Sequence, residues 1–165
     1  MSPLRPDLID CWIYRARRGG GIEVLLIRRA PGRILPGLWQ CVSGGIEPGE
    51  RVALAGLREV EEETGLDAAS IEAFYDLDLV NQFHEPSVDA VVMSAVFAVR
   101  VTADAQVRLS HEHDGMRWVS LDVALAEVVW PGYREALERI RDDLGDAARA
   151  PWFELDLEGR RLVGA

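Results

Sequence analysis

The sequence predicts an α/β fold, a mixed sheet with helices on it, and three observations carry that expectation. Two β-rich apolar segments open the chain, a helix with one apolar and one acidic face lies in its middle, and an amphipathic helix follows the last strand. Leu8 to Arg17 and Ile22 to Arg29 are the opening strands, joined by Arg18-Gly19-Gly20-Gly21, a hairpin signal. Ala30 to Leu38, with two prolines and two glycines, reads as a loop. Trp39 to Ser43 forms a short strand. Arg51 to Thr64 forms a helix, ended by Gly65 in the left-handed conformation that glycine tolerates. Ile71 to Phe83 is a long strand, and Val88 to Val101 is apolar on both faces, as a central buried strand should be. Arg117 to Ser120 is a further short strand and Leu121 to Val128 a short helix. After Trp130-Pro131-Gly132, the apolar residues Tyr133, Leu137, Ile140 and Leu144 repeat at helical spacing. In the tail, Pro151 to Ala165, alternating Phe153, Leu155 and Leu157 suggest an edge hairpin around Glu158-Gly159. A chain of 165 residues without internal repeats reads as one domain, with its core at about 5–145 and a C-terminal extension over 146–165.

Composition narrows the function classes. Hydrophobic content of 48% with 28% charged residues is ordinary for a soluble globular protein. The start, MSPLRPDLIDCW, lacks the basic-then-apolar layout of a signal peptide, and no apolar run has the length of a membrane span. Cys11 and Cys41 stand far apart and read as buried thiols of a reducing compartment, so a cytoplasmic location is expected. A net charge of −10 argues against a nucleic acid polymer, which needs a basic footprint, but not against a small polyphosphate neutralised by metal ions. All 18 basic residues are arginine, which excludes a lysine Schiff base and a P-loop lysine.

The chemistry is concentrated between Gly44 and Leu66, GGIEPGERVALAGLREVEEETGL, which fits the pattern Gly-x5-Glu-x7-Arg-Glu-aliphatic-x-Glu-Glu-x-Gly-aliphatic. On a helix of about 100° per residue, Glu59, Glu62 and Glu63 share one face. Ala53, Leu57, Val60 and Thr64 make the opposite stripe, the face to bury. As a stability choice the acidic block is poor, since like charges at these spacings each cost roughly 0.2–0.5 kcal/mol. Divalent cations reverse that sign, because Mg²⁺ takes oxygen ligands and bridges carboxylates to phosphates. Arg58, on the flank of the same face, can hold a glutamate by a bidentate contact.

This pattern is the Nudix box, and on it the chain resembles the Nudix hydrolases, metal-dependent enzymes that cut diphosphate bonds in nucleoside-diphosphate-linked compounds. The resemblance implies the Nudix α/β/α sandwich, with a mixed sheet, a catalytic helix and a C-terminal helix. It implies that Glu59, Glu62 and Glu63 bind Mg²⁺, with Mn²⁺ able to substitute, and that one of them serves as general base, with the choice left open. It adds a backbone carbonyl ligand near Gly44 and gives Glu50 a supporting role and Arg58 a place in the catalytic set. Water, not a covalent intermediate, then attacks phosphorus in line.

Outside the box, Glu112-His113-Asp114-Gly115-Met116-Arg117-Trp118 resembles the bacterial dihydroneopterin-triphosphate/dATP pyrophosphohydrolases, which makes Glu112 a further metal ligand or base. His111 and His113 read as a transition-metal pair or, better suited to hard Mg²⁺, as two loop histidines. Of Arg28 and Arg29 only one can face the substrate, because neighbouring strand residues point opposite ways. Arg28 is the candidate, since the same enzymes carry an arginine pair there. Trp39, Gln40 and Ser43 also match them, and Trp39 is either a stacking platform or an aromatic core plug. Phe83 and His84 form a weaker pair for the same stacking role.

The expected activity is Mg²⁺-dependent hydrolysis of a nucleoside or pterin triphosphate to the monophosphate and pyrophosphate. The alternatives are a dinucleoside polyphosphate or nucleotide-sugar hydrolase, and a non-catalytic nucleotide sensor. The sensor is disfavoured because every box glutamate is kept. The expected partner is thus a small nucleotide or pterin polyphosphate, with no nucleic acid polymer and no membrane, and a homodimer stays open.

Overall fold

Strand alternation sends Ile9, Cys11 and Ile13 to one side of the first strand and Trp12 and Tyr14 to the other, and each side acquires its own apolar layer. The computed structural model describes residues 3–163. Its middle layer is an eight-stranded sheet built from β1 (Leu8–Ala16), β2 (Ile22–Arg29), β3 (Trp39–Gln40), β4 (Val42–Gly45), β5 (Ile71–Glu85), β6 (Ala90–Val101), β7 (His113–Ser120) and β8 (Glu154–Leu155). The helices are α1 (Val52–Thr64), α2 (Leu121–Glu127) and α3 (Pro131–Arg139), the last continued by a π-helical turn over Ile140–Leu144. The sheet is mixed: β1 runs antiparallel to β2 and parallel to β6. Helix α1 covers the side of Ile9 and Ile13, while α2 and α3 cover the side of Trp12 and Tyr14. The expected α/β/α sandwich is therefore present.

Local chemistry explains most boundaries. Gly19, Gly20 and Gly21 all adopt positive φ in the β1–β2 hairpin, a run that side-chain-bearing residues would resist. Gly65, at φ 68°, ends α1 and returns its N–H to the Glu61 carbonyl. The tail does form an edge hairpin: β8 pairs with the outer edge of β5, and Leu155 bridges Arg161 across a turn containing Gly159. Both cysteines are buried free thiols.

Four expectations need correction. The segment Trp39 to Ser43 is two strands, because β1 and β2 splay apart: β3 pairs with the far half of β2, and β4 with the near half of β1. The strand expected from Val88 begins at Ala90. Its first residues are exposed because the β5–β6 hairpin runs past the end of β1, whose Leu8 stands opposite Ser94. The strand expected from Arg117 begins at His113, so Glu112 stands at its threshold and His113 within it. Finally, the buried face of α1 centres on Ala55, Gly56, Val60, Glu63 and Thr64, leaving Ala53 and Leu57 at its margin. One box glutamate thus lies on the core side.

Candidate active site

Splaying of β1 and β2 lets β4 run straight into the loop that starts α1, so the chain returns over its own helix at Gly44. A Cβ at Gly44 would overlap the Glu59 carboxylate, so only glycine fits this close approach. Arg58 organises the acidic face around that point. Its guanidinium grips Glu50 through two bonds, Nε to Oε1 at 2.8 Å and Nη2 to Oε2 at 3.0 Å. It also donates to Glu59 at 2.8 Å, to Glu62 at 3.2 Å and to the Gly45 carbonyl at 2.8 Å. With both oxygens on Arg58, the Glu50 carboxyl is held below its usual range.

The three helix glutamates differ in exposure, and the difference sorts them. The Glu62 side chain is 58% exposed and Glu63 only 6%, with Glu59 nearer Glu63. Burial pushes the Glu59 carboxyl up, against the pull of Arg58. Glu63 goes further: burial, then the charges of Glu59 and Glu112, push its pKa up to about 8. Its Oε2 is buried without a hydrogen-bond partner, while a backbone N–H from Ser43 supports the carboxyl group. A buried, unsatisfied carboxylate oxygen costs stability on its own account.

Glu112 is brought to this pair by the segment before β7. The Ser110 N–H donates to the Glu63 carbonyl at 3.0 Å, and the Arg108 N–H to that of Thr64 at 2.9 Å, which ties the loop to the last turn of α1. The Glu112 carboxylate pairs with Arg33 at 3.4 Å. Among the described residues, no three acidic, histidine or cysteine side chains are already arranged to hold a metal ion, and Arg58 and Arg33 pair with Glu59 and Glu112. The hard oxygen donors, the orphaned Glu63 Oε2 and the space kept by Gly44 all suit a Mg²⁺ ion.

The residues expected at the substrate divide. Arg28 is half exposed and pairs with Asp114 at 2.7 Å, while Arg29 lies on the opposite face with its charge felt by Glu63. Trp39 is half buried, with the Arg117 guanidinium 4.0 Å over its ring and Arg28 at 5.5 Å, so it is both core margin and platform. Ser43 is half buried, its hydroxyl against Asp10 and its N–H against Glu63. Gln40, opposite Ile27 and so on the other face from Trp39, is buried where β3 gives way to β4, with its Nε2 unpartnered. Phe83 and His84 are also apart from this cluster, in the projecting β5–β6 hairpin, where His84 pairs with Asp89.

One residue was misread and one was missed. His113 is not a loop histidine but a buried strand residue, its Nε2 3.9 Å from Glu63 Oε2 and both ring nitrogens without partners. Burial and the nearby Arg29 hold its pKa below the usual imidazole value. Asp10 is a buried carboxylate inside an apolar strand, LIDCWIY, a breach of alternation visible in the sequence.

Comparison with known proteins agrees with this architecture. The chain is 42% identical over 124 residues to a Myxococcus xanthus protein named octanoyltransferase, covering 74% of this chain but 33% of the relative. It is 37% identical over 90 residues to the asymmetrical bis(5'-nucleosyl)-tetraphosphatase of Sus scrofa, covering 52% of this chain and 58% of that one. The chain therefore spans about a third and just under three fifths of the lengths of these relatives. The structure of the E. coli dihydroneopterin triphosphate pyrophosphohydrolase superposes with a TM-score of 0.68 at 26% identity, over 82% of this chain and 94% of that one. The NUDIX domain family model matches residues 5–140, and the chain belongs to that family.

Proposed function

We propose that this chain is a pyrophosphohydrolase that cleaves a nucleoside or pterin triphosphate to the monophosphate and pyrophosphate, with Mg²⁺ held by Glu59, Glu62, Glu63, Glu112 and the Gly44 carbonyl. The observation that carries this reading is the part-buried Glu59 packed against Gly44 beside the buried Glu63, with Arg58 bonded to the first and the second left with one oxygen unpartnered. The named activity of the E. coli structure, alike over most of both chains, supports the triphosphate class.

When bound, the cation supplies charge neutralisation and an acidified water. The chain's residues supply the rest. Arg58 fixes Glu50 and Glu59 so that the acidic face is set before substrate arrives. Glu63, whose Oε2 is buried without a hydrogen-bond partner, has an oxygen open to the ion or to the attacking water. Arg28, half exposed, is the arginine the sequence pattern assigns to phosphate oxygens, a role that requires it to release Asp114, while Arg29 is the one whose charge reaches Glu63.

A second reading, hydrolysis of a dinucleoside polyphosphate, is favoured by the identity to the Sus scrofa tetraphosphatase. Purified protein with Mg²⁺ should be assayed against nucleoside triphosphates, neopterin triphosphates and diadenosine tetraphosphate, with pyrophosphate and orthophosphate measured separately. Pyrophosphate release from a triphosphate supports the first reading; preference for the tetraphosphate supports the second. Glu62→Gln or Glu63→Gln should cut turnover by at least ~100-fold with the fold intact. Near-normal turnover in either variant overturns the assignment.

A further inference from the structure

Four neighbouring strands each place one small polar side chain on the same face of the sheet, the face otherwise filled by Trp12, Cys41, Val96 and Tyr133. They are Ser43 of β4, Asp10 of β1, Ser94 of β6 and Asn81 of β5. Ser43 stands directly opposite Asp10, and Asn81 opposite Ser94. Asp10 is 5% exposed, and its neighbours are all neutral: the Asn81 Nδ2 donates to Oδ2 at 3.4 Å and the Ser43 hydroxyl lies beside it, which only partly offsets the upward push of burial on its pKa. The Ser94 hydroxyl lies buried beside the carboxylate yet completes no hydrogen bond. A buried acid with no cation beside it lowers stability, and an amide or hydroxyl would serve packing better. A ligand rich in N–H donors would return what is lost.

The row ends at the proposed active site. Ser43 touches Asp10 with its hydroxyl and Glu63 with its backbone N–H, and the next residue is Gly44. At the other end Asn81 is half exposed, and the start of α3 is pressed against it, since a Cβ at Gly132 would overlap its amide. Asn81 holds Asp10 through one long bond, so it is the group that yields to an incoming ring. Ser43 and Gly44 are consecutive, so the row meets the phosphate end of the proposed site at the end of β4, where the sheet opens between β1 and β2.

We propose that the Asp10 carboxylate reads the substrate's ring by accepting two adjacent N–H groups, the amide N–H and 2-amino group shared by guanine and the 2-amino-4-oxopteridine ring. Two carboxylate oxygens match two parallel donors, as they match the fork of an arginine. The Asn81 amide then donates to the neighbouring ring carbonyl. Adenine and cytosine set a ring-nitrogen lone pair beside their amino group, which faces the carboxylate acceptor to acceptor. Uracil and thymine offer one N–H between two carbonyls.

The inference rests on the triphosphate reading for the placement of the phosphates, and its test is separable from catalysis. Binding of guanosine, neopterin and adenosine to the whole chain, measured by calorimetry in EDTA, requires no turnover. Guanosine or neopterin, whichever is the true ring, should bind about 10- to 100-fold tighter than adenosine, and Asp10→Asn should erase that ratio. Asn81→Ala, at the half-exposed rim, should narrow the same ratio and decides the matter if the Asp10 variant does not fold. Where triphosphate hydrolysis is measurable, the guanine-to-adenine or pterin-to-adenine ratio of kcat/KM should fall at least ~10-fold in Asp10→Asn. Equal weakening toward all rings, or adenosine bound as tightly as the others by the unaltered chain, overturns the proposal. Absence of hydrolysis with the binding ratio intact would overturn the proposed activity instead.

Discussion

Gly44→Ala isolates the geometry of the site from its chemistry, because it adds one methyl group and removes no charge. The φ of Gly44 is not in the left-handed region, so alanine suits the backbone. The new Cβ would nevertheless overlap the Glu59 carboxylate. That carboxylate is pinned by Arg58 Nη1 at 2.8 Å and nearly buried, so it must retreat by roughly an ångström or more, or β4 must move away from α1. Losing a hydrogen bond between charged groups costs about 1.5–3 kcal/mol where it is desolvated, with partial exposure here favouring the lower figure. A displacement of about 1 Å in a positioning group costs on the order of 100-fold in rate. The expected result is a fall in kcat/KM near ~100-fold with a loss of a few degrees in Tm. Gly45→Ala is the control: a Cβ there meets nothing within 4 Å, so kcat/KM should stay within about threefold of the parent. A fully active Gly44→Ala enzyme, or equal losses in both variants, would refute the close approach as the reason for glycine.

Glu63 makes stability depend on pH in the cation-free chain. Its folded pKa of about 8 exceeds the ordinary 4.5, so the folded state binds more protons, and the contribution is full below the ordinary value and lost as pH rises toward 8. His113 has the opposite sign, its lowered pKa removing stability as pH falls below its ordinary 6.5, so above 6.5 the fall in stability belongs to the raised acids, Glu63 together with Asp10 and Glu59. Thermal melts in EDTA should show Tm falling from pH 6.5 to 8, and Glu63→Gln should flatten the slope; an unchanged slope contradicts the burial argument. Glu112→Gln should reduce turnover by about 10–100-fold in a steady-state assay, while its exposed pairing with Arg33 contributes under ~1 kcal/mol to stability. If turnover is untouched, the fourth carboxylate lies elsewhere. His113→Phe should raise the Mg²⁺ concentration needed for half-maximal rate by about 10-fold, and His113→Gln, which keeps an N–H, should restore it in part. Identical behaviour of the two would assign His113 to packing alone.

How much of this was legible follows from how far each feature depends on distant strands. The box, the Gly65 stop and the Gly19–Gly21 hairpin are local, and the structure returns them where the sequence places them. The division of Trp39–Gly45 is not local, since nothing in that segment announces that β1 and β2 diverge and offer it two different partners. Gln40 is buried as a result of that switch. His113 was hidden by Gly115, which interrupts the apolar pattern of β7, and by the irregularity between Arg28 and Arg29 that sets its register. The grading of the glutamates was partly readable: Glu63 is three residues beyond Val60 and one before Thr64, both buried, so it could not share the exposure of Glu62. Setting the acids as one face against the stripe to bury overlooked that the margin of an apolar stripe is itself half dry.

That grading bears on how the helix tolerates its own sequence. Like charges at three- and four-residue spacing and acids at the C-terminal end of a helix each disfavour folding by a few tenths of a kcal/mol or more. Arg58 offsets them at Glu50, Glu59 and Glu62, and its bond to the Gly45 carbonyl ties the same guanidinium to the preceding loop. Glu63 is bonded to no arginine and feels only the more distant charge of Arg29, and burial pushes its pKa up to about 8 in the cation-free chain. The fold therefore does not require a divalent ion to neutralise the whole acidic face. It leaves one buried carboxylate that an ion can claim by displacing a proton, with the surrounding geometry already set by an arginine. Binding of such an ion should release a proton near neutral pH, and its affinity should rise with pH until Glu63 is ionised.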